Sequence, residues 1–359
     1  MEELIGPLVL VAVALFARLG RRPNVHRGIQ PLFEEFHSKI QLDEHFERRK
    51  LREKRETLLN VLKEKLSPIE LTFVPFLQGS YAMRTGVVPK NGNYDIDVGL
   101  IFTCGVKRFP DPLVLKRIVH DAMDMHNRTV RIRRPCVTVT YQKDGVPEFH
   151  VDLAIYMKQP DGSLLIGMGH ETSKAEERKW KPAAPAELKQ FILSKVDGEA
   201  QAQLRRCIRY LKRWRDENFI VGAPLSIALT VAAARWFEPK TLDDGTHVDL
   251  EALLHLVKTM QGKFELGWST KKLVVNLPGP VKGNLMEGLS PLQMTSFSEQ
   301  LDKLAVVLQK CTGDVQLCDS ASALALIFGS DFPMPVARRD SGDFCRAGAS
   351  SCAAMRQIA

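Results

Sequence analysis

Asp95-Ile96-Asp97 is the part of this sequence best equipped for chemistry. The stretch 95–103, DIDVGLIFT, alternates as a half-buried strand does. Both carboxylates then share one face while Ile96, Val98 and Leu100 turn to the core. Carboxylates side by side repel, and a cation between them removes the penalty. Hard oxygen ligands in that arrangement suit Mg2+, which keeps places for water and substrate phosphates. By itself such a pair is a weak signal and more often marks a surface strand end or a turn. A third carboxylate, Asp152, stands in EFHVDLAIYM, where Phe149, Val151, Leu153 and Ile155 face one way and His150, Asp152 and Ala154 the other. On so apolar a strand a carboxylate is costly unless it meets a metal or another cation. His150 reads as packing, or as a neighbour of the carboxylate, rather than as a reacting group. Upstream, Gly79-Ser80 follows the β-rich stretch 71–77 and opens a short helical one. Glycine lets the backbone approach a phosphate, and N–H groups with the serine hydroxyl can hold its oxygens. The turn-forming residues Pro89-Lys90-Asn91-Gly92-Asn93 let the two motifs fold back on each other.

These side chains need a sheet to hold them. Beyond 95–103, strands are expected over 130–141, interrupted at Pro135, and over 148–157, with helices over 41–65 and 112–126. Helical period then dominates, over 186–196, 201–216, 224–236, 250–260 and 291–310, with strand signal only at 272–277. The composition shift and the polar stretch 159–185 mark a boundary. The reading is an extension over 1–24, an α+β core over 25–165 with a long N-terminal helix, a helical domain over 166–335 and a disordered tail over 336–359. Within the helix 204–215, Leu204, Cys207, Ile208, Leu211 and Trp214 form one stripe. Arg205, Arg206, Arg209, Lys212, Arg213 and Arg215 cover the rest, and a solvated basic face is expected for most of them. Arg131 and Arg133 read as charges that protect an edge strand.

The chain has 359 residues, 45% hydrophobic and 26% charged, which excludes disordered, collagen-like and coiled-coil proteins. A net charge of +8 suits an anionic partner, nucleotide phosphates or a polynucleotide, without choosing between them. Seven cysteines, an odd number with no CxxC pair, point to free thiols in a reducing cytoplasm. The apolar run Leu4 to Ala17 is short for a bilayer core of about 30 Å, and Glu2 and Glu3 are wrong for a signal peptide, so no membrane partner is expected. No GxxxxGK[ST], HExxH or GxSxG occurs.

Strand, Gly-Ser, helix, strand with Asp-x-Asp, then a strand with a third Asp resembles the polymerase-β-like nucleotidyltransferase superfamily. In finer detail QGSYAMRTGVVPKNGNYDIDVGLIF, EFHVDLAIY and LRRCIRYLKRWRDENF are similar to the bacterial CD-NTases, relatives of cyclic GMP-AMP synthase and oligoadenylate synthase. The resemblance spans residues 26–335, and its Ser80-to-Asp95 spacing is slightly longer than the superfamily generally shows. It implies a nucleotidyltransferase core with a mixed sheet and a helical C-terminal domain, two lobes around an active-site cleft. It also implies that Asp95, Asp97 and Asp152 bind two Mg2+, with Mn2+ as substitute. Gln78, Gly79 and Ser80 would lie on the donor triphosphate, and Lys212 and Ser226 on its terminal phosphates. The implied reaction condenses ATP or other nucleoside triphosphates into a cyclic di- or trinucleotide second messenger, releasing pyrophosphate. The product would be read by an effector protein in antiphage defence. No obligatory nucleic acid is implied, and the C-terminal tail is a candidate for ubiquitin-like conjugation machinery. Rival readings are transfer to an RNA end, a protein or a small molecule, and an inactive nucleotide- or nucleic-acid-sensing module.

Overall fold

The computed structural model describes residues 25–42, 46–90, 92, 94–126, 128–143, 146–267, 271–313 and 315–335. The expectations placed on 1–24 and 336–359 lie outside the described residues. The first part of the chain folds as α1 (Val25–Ile40), α2 (Phe46–Leu66), β1 (Phe73–Leu77), α3 (Gly79–Ala82), β2 (Tyr94–Phe102), α4 (Pro112–Met123), β3 (Arg128–Ile132), β4 (Cys136–Lys143), β5 (Val146–Lys158), β6 (Leu164–Met168) and β7 (Lys179–Ala183). The break at Pro135 makes two strands of the stretch expected at 130–141. Helix α4 begins where Asp111 accepts a hydrogen bond from the Leu113 N–H at 2.9 Å, with Pro112 in the first turn.

The strands form one seven-stranded sheet in the order β1-β2-β5-β4-β3, with β6 pairing β5 and β7 pairing β6. Only the central pair, β2 with β5, is parallel among these neighbours, so the sheet is mixed. Alternation sends Ile96, Val98, Leu100 and Phe102, with Val151, Leu153, Ile155 and Met157, to one face. There they pack under Leu58, Leu62 and Leu66 of α2 and Leu115, Val119 and Met123 of α4. Burial of this face fixes the register, because a one-residue slip would turn its apolar set to the other side. β6 and β7 extend the sheet into the polar stretch that the sequence marks as a boundary.

The second part runs α5 (Pro185–Leu193), α6 (Gly198–Asn218), α7 (Ser226–Trp236), α8 (Asp249–Gln261), the short pair β8 (Phe264–Leu266) and β9 (Lys271–Leu273), α9 (Pro291–Cys311) and α10 (Leu317–Phe328). Its core gathers Tyr210 and Trp214 of α6, Leu253 and Val257 of α8, Phe297 and Leu301 of α9 and Phe328 of α10. Helix α1 packs here rather than on the sheet: Ile29, Phe33, Phe36 and Ile40 recur at helical spacing, and all are fully buried. Phe36 stacks on Tyr210 with ring centroids 5.4 Å apart, and Phe33 meets it edge-on at 5.2 Å.

The basic run of α6 departs from the solvated face expected. Arg209, Lys212 and Arg213 are buried. Arg209 donates to the carbonyls of Arg84 at 2.6 Å and Gly86 at 3.1 Å, Lys212 to Thr85 O at 2.9 Å and Arg213 to Val88 O at 2.8 Å. The segment 84–88 lies outside any helix or strand, so its carbonyls need donors from elsewhere, and α6 supplies them. Arg206 makes two bonds, of 2.7 and 2.9 Å, to the fully buried Asp249. Arg131 is exposed on the edge strand β3, while Arg133 lies past its end. Cys104, Cys136, Cys207 and Cys311 are free thiols; Cys318 departs from that expectation, being disulfide-bonded. Among the described residues no helix is long and apolar enough to cross a membrane.

Candidate active site

The parallel register of β2 and β5 sets Asp95 opposite His150 and Asp97 opposite Asp152. With the apolar set on the other face, all four side chains emerge on the side away from α2 and α4. The same face carries Gly99, Ala154 and Tyr156. A Cβ at Gly99 would lie 2.0 Å from the Phe76 ring, so glycine is what allows β1 to pack there. Tyr156 donates its hydroxyl to Gln78 Oε1 at 2.7 Å, and the Gln78 N–H bonds Asp97 O at 3.2 Å. The turn after β1 is thereby pinned over the aspartates. Gly79 sits at φ +64°, and a Cβ there would lie 1.8 Å from Asp97 Oδ2. Conformation and space both demand glycine.

Asp95 and Asp97 hold their protons unusually well. Asp95 is pushed up to about 7 by burial first and then by Asp152, although its carboxylate is open to the cleft. Asp97 is also pushed up to about 7, by burial and then by Asp95 and Asp152. Lys212 works against both shifts without cancelling them. Thr138 Oγ1 donates to Asp152 Oδ1 at 2.5 Å, and His150 Nε2 lies 3.3 Å from Asp95 Oδ1. Ligand atoms of Asp95, His150 and Asp152 fall within 4.8 Å of one another. Crowded carboxylates without a sufficient neighbouring cation fit a divalent metal, which would relieve their repulsion.

A cleft of about 550 Å³ opens between the sheet and α6 and α7, lined among others by Gln78, Gly79, Ser80, Asp95, Asp97, Lys212 and Ser226. Asp152 is not among its lining residues. It borders an adjoining cavity of about 320 Å³ with Arg133, Thr138 and His150. Lys212 reaches the cleft wall with its ammonium engaged, 2.9 Å from Thr85 O and 3.3 Å from Thr85 Oγ1, and burial followed by Arg209 lowers it to about 8. Ser226 begins α7. Sequence reasoning missed Tyr156 and Thr138. Tyr156 follows Asp152 and Ala154 on one alternating face and was within reach of that pattern, whereas Thr138 meets Asp152 only through the pairing of β4 with β5.

Residues 74–156 match the family model described as the nucleotidyltransferase domain of cyclic GMP-AMP synthase DncV-like proteins. That segment is a DncV-like nucleotidyltransferase domain. Solved structures share the fold well beyond it. The CD-NTase CdnG of Bradyrhizobium diazoefficiens, in complex with GTP, superposes with a TM-score of 0.66 at 17% identity over 86% of this chain and 96% of its own. The 3'-deoxy GTP bound form of Escherichia coli DncV gives 0.64 at 15% over 82% and 93%. The cyclic AMP-GMP synthase DncV of Vibrio cholerae gives 0.58 at 16% over 86% and 88%. The α+β architecture with its helical second part is therefore that of this group.

Proposed function

We propose that this chain, whose residues 74–156 match a DncV-like nucleotidyltransferase domain, condenses nucleoside triphosphates into a cyclic di- or trinucleotide and releases pyrophosphate. One observation carries the reading: the register Asp97 to Asp152 and Asp95 to His150, with the Gly79 turn packed on Asp97, beside a cleft roomy enough for nucleotides that Asp95 and Asp97 line. In this reading Asp95, Asp97 and Asp152 hold divalent cations, Mg2+ or Mn2+, which when bound lower the pKa of an attacking ribose hydroxyl and stabilise the pyrophosphate leaving group. Gly79 and Ser80 take the donor triphosphate through backbone N–H groups at the start of a helical turn, which have no partner within the turn, and through the serine hydroxyl. Tyr156 occupies Gln78 Oε1, which leaves the glutamine amide N–H groups to donate toward phosphate. Lys212 and Ser226 receive the terminal phosphates, and Lys212 exchanges its bonds to Thr85 for phosphate oxygens as it does so. Two transfer steps pass through this one site, the linear intermediate turning round before it closes.

The product of such a reaction is a signal. Its reader is an effector protein in antiphage defence, and the tail beyond residue 335 is the segment that conjugation machinery would engage. The direct test of the chemistry is pyrophosphate release from purified protein with nucleoside triphosphates and Mg2+ or Mn2+. Replacing Asp95 and Asp97 together by Asn is expected to lower it more than about 100-fold, beyond the loss typical of an outer partner of a metal ligand. Undiminished release in that variant would refute the assignment.

A further inference from the structure

On their shared face of the sheet, the ligand atoms of Asp95, His150 and Asp152 group together, and Asp97 is not part of that group. Asp95 and Asp97 line the nucleotide-sized cleft, whereas His150 and Asp152 line the adjoining cavity. Asp95 stands between them, with its Oδ1 3.3 Å from His150 Nε2 and its ligand atom within 4.8 Å of those of both His150 and Asp152. Backbone register enforces the arrangement, because His150 is directly opposite Asp95 on the parallel neighbour. Thr138 holds the Asp152 carboxylate in orientation from β4. The cleft side therefore offers carboxylate oxygens alone, while the cavity side adds an imidazole nitrogen.

Those two donor sets suit different ions. Mg2+ prefers oxygen ligands and keeps much of its water. Imidazole favours first-row transition metals, whose affinity for such sites rises from Mn2+ along the row. From this we infer that the two cation positions are chemically unequal. One, on Asp95 and Asp97, accepts Mg2+; the other, on Asp95, His150 and Asp152, has His150 Nε2 as a direct ligand and selects Mn2+ over Mg2+. The inference rests on the reading above that these carboxylates hold divalent cations, and it is independent of what product is made. His150 thereby determines metal preference instead of serving as packing beside Asp152.

A competing role uses the same atoms: an imidazole N–H that only donates to Asp95 and orients it. The test must separate the two. Mn2+ is bound to the full chain without nucleotide, and pulsed EPR is read for nitrogen coupled to the ion, in unlabelled protein and in protein carrying 15N-histidine. A direct ligand gives a 14N modulation that the label replaces with a 15N pattern, and this comparison needs no substitution. His150→Gln keeps an N–H able to reach Asp95 but removes the imidazole. In that variant the histidine coupling is expected to vanish and the Kd for Mn2+ to rise about tenfold or more, with a clearly smaller change for Mg2+. Mn2+ bound without histidine coupling, or equal losses of Mn2+ and Mg2+ affinity, would overturn the inference while leaving a carboxylate metal site standing. Failure to bind Mn2+ at all, or binding unaffected by Asp95→Asn, would overturn both.

Discussion

Asp97 has Asp95 two positions away on its own strand and Asp152 opposite it on the next, with a glycine turn closed over its carboxylate. An ordinary aspartate titrates near 3.8, and Asp97 in the folded chain near 7, so the native state binds more protons than the unfolded one between those values. Without metal, stability accordingly falls as pH rises from about 4 to about 7, and the whole cost is present above 7. Asp97→Asn in chelator is expected to stabilise the fold at pH 8 by on the order of 1–2 kcal/mol, and by almost nothing at pH 4. Thermal unfolding at both pH values checks the sign. Gly79→Ala acts in the opposite direction: a left-handed φ and a Cβ 1.8 Å from Asp97 Oδ2 predict a loss of about 1–3 kcal/mol. Pyrophosphate release should fall more than about tenfold with it, because the turn and the carboxylate are displaced together. At this scale the face shared by Asp95 and Asp97, and that of His150 and Asp152, were legible from period-two alternation alone. That β2 and β5 are parallel neighbours was not, since alternation does not name a strand's partner.

Helix α4 shows what an element contributes beyond covering the sheet. Lys116 on α4 is fully buried and donates to the carbonyls of Arg133 at 3.2 Å, Arg134 at 2.7 Å and Gly169 at 2.9 Å. One side chain thus ties the β3–β4 turn and the segment after β6 to the helix, and that turn brings Arg133 to the cavity beside Asp152. Burial lowers the lysine to about 8, yet the bonds it makes leave the carbonyls satisfied. Lys116→Met removes the donors while keeping the apolar stem, and is expected to destabilise by about 1–3 kcal/mol. Amide exchange at the β3–β4 turn should quicken ahead of the rest of the sheet, which hydrogen exchange would detect. Helix positions were readable because an apolar stripe at 3.6-residue period survives noise, as in 112–126 and 291–310. The strands β6 and β7 were not, being five residues each inside a polar stretch. The cations of α6 misled for a related reason: a basic run looks the same whether it meets water or the carbonyls of an irregular loop.

Across the described residues the chain passes from the helical lobe with α1 into the sheet, and returns to the helical lobe from α5 onward. The composition shift marked where strand signal gives way to helical period, but the return of α1 to the second core was not legible, because an amphipathic stripe does not encode which core it joins. The lobes meet where α6 binds the carbonyls of 84–88, directly after the turn that carries Gly79 and Ser80, so the cleft floor and the helical wall are one hydrogen-bonded structure. A net charge of +8 fits a nucleotide cleft and a polynucleotide groove alike. The identity of the product separates them. The decisive measurement is mass spectrometry of what the purified protein makes from all four ribonucleoside triphosphates with Mg2+ or Mn2+, after phosphatase treatment. Cyclic condensation predicts a phosphatase-resistant cyclic di- or trinucleotide that disappears in the Asp95→Asn, Asp97→Asn variant. Linear products alone, or nucleotide added only to an RNA end, would contradict it.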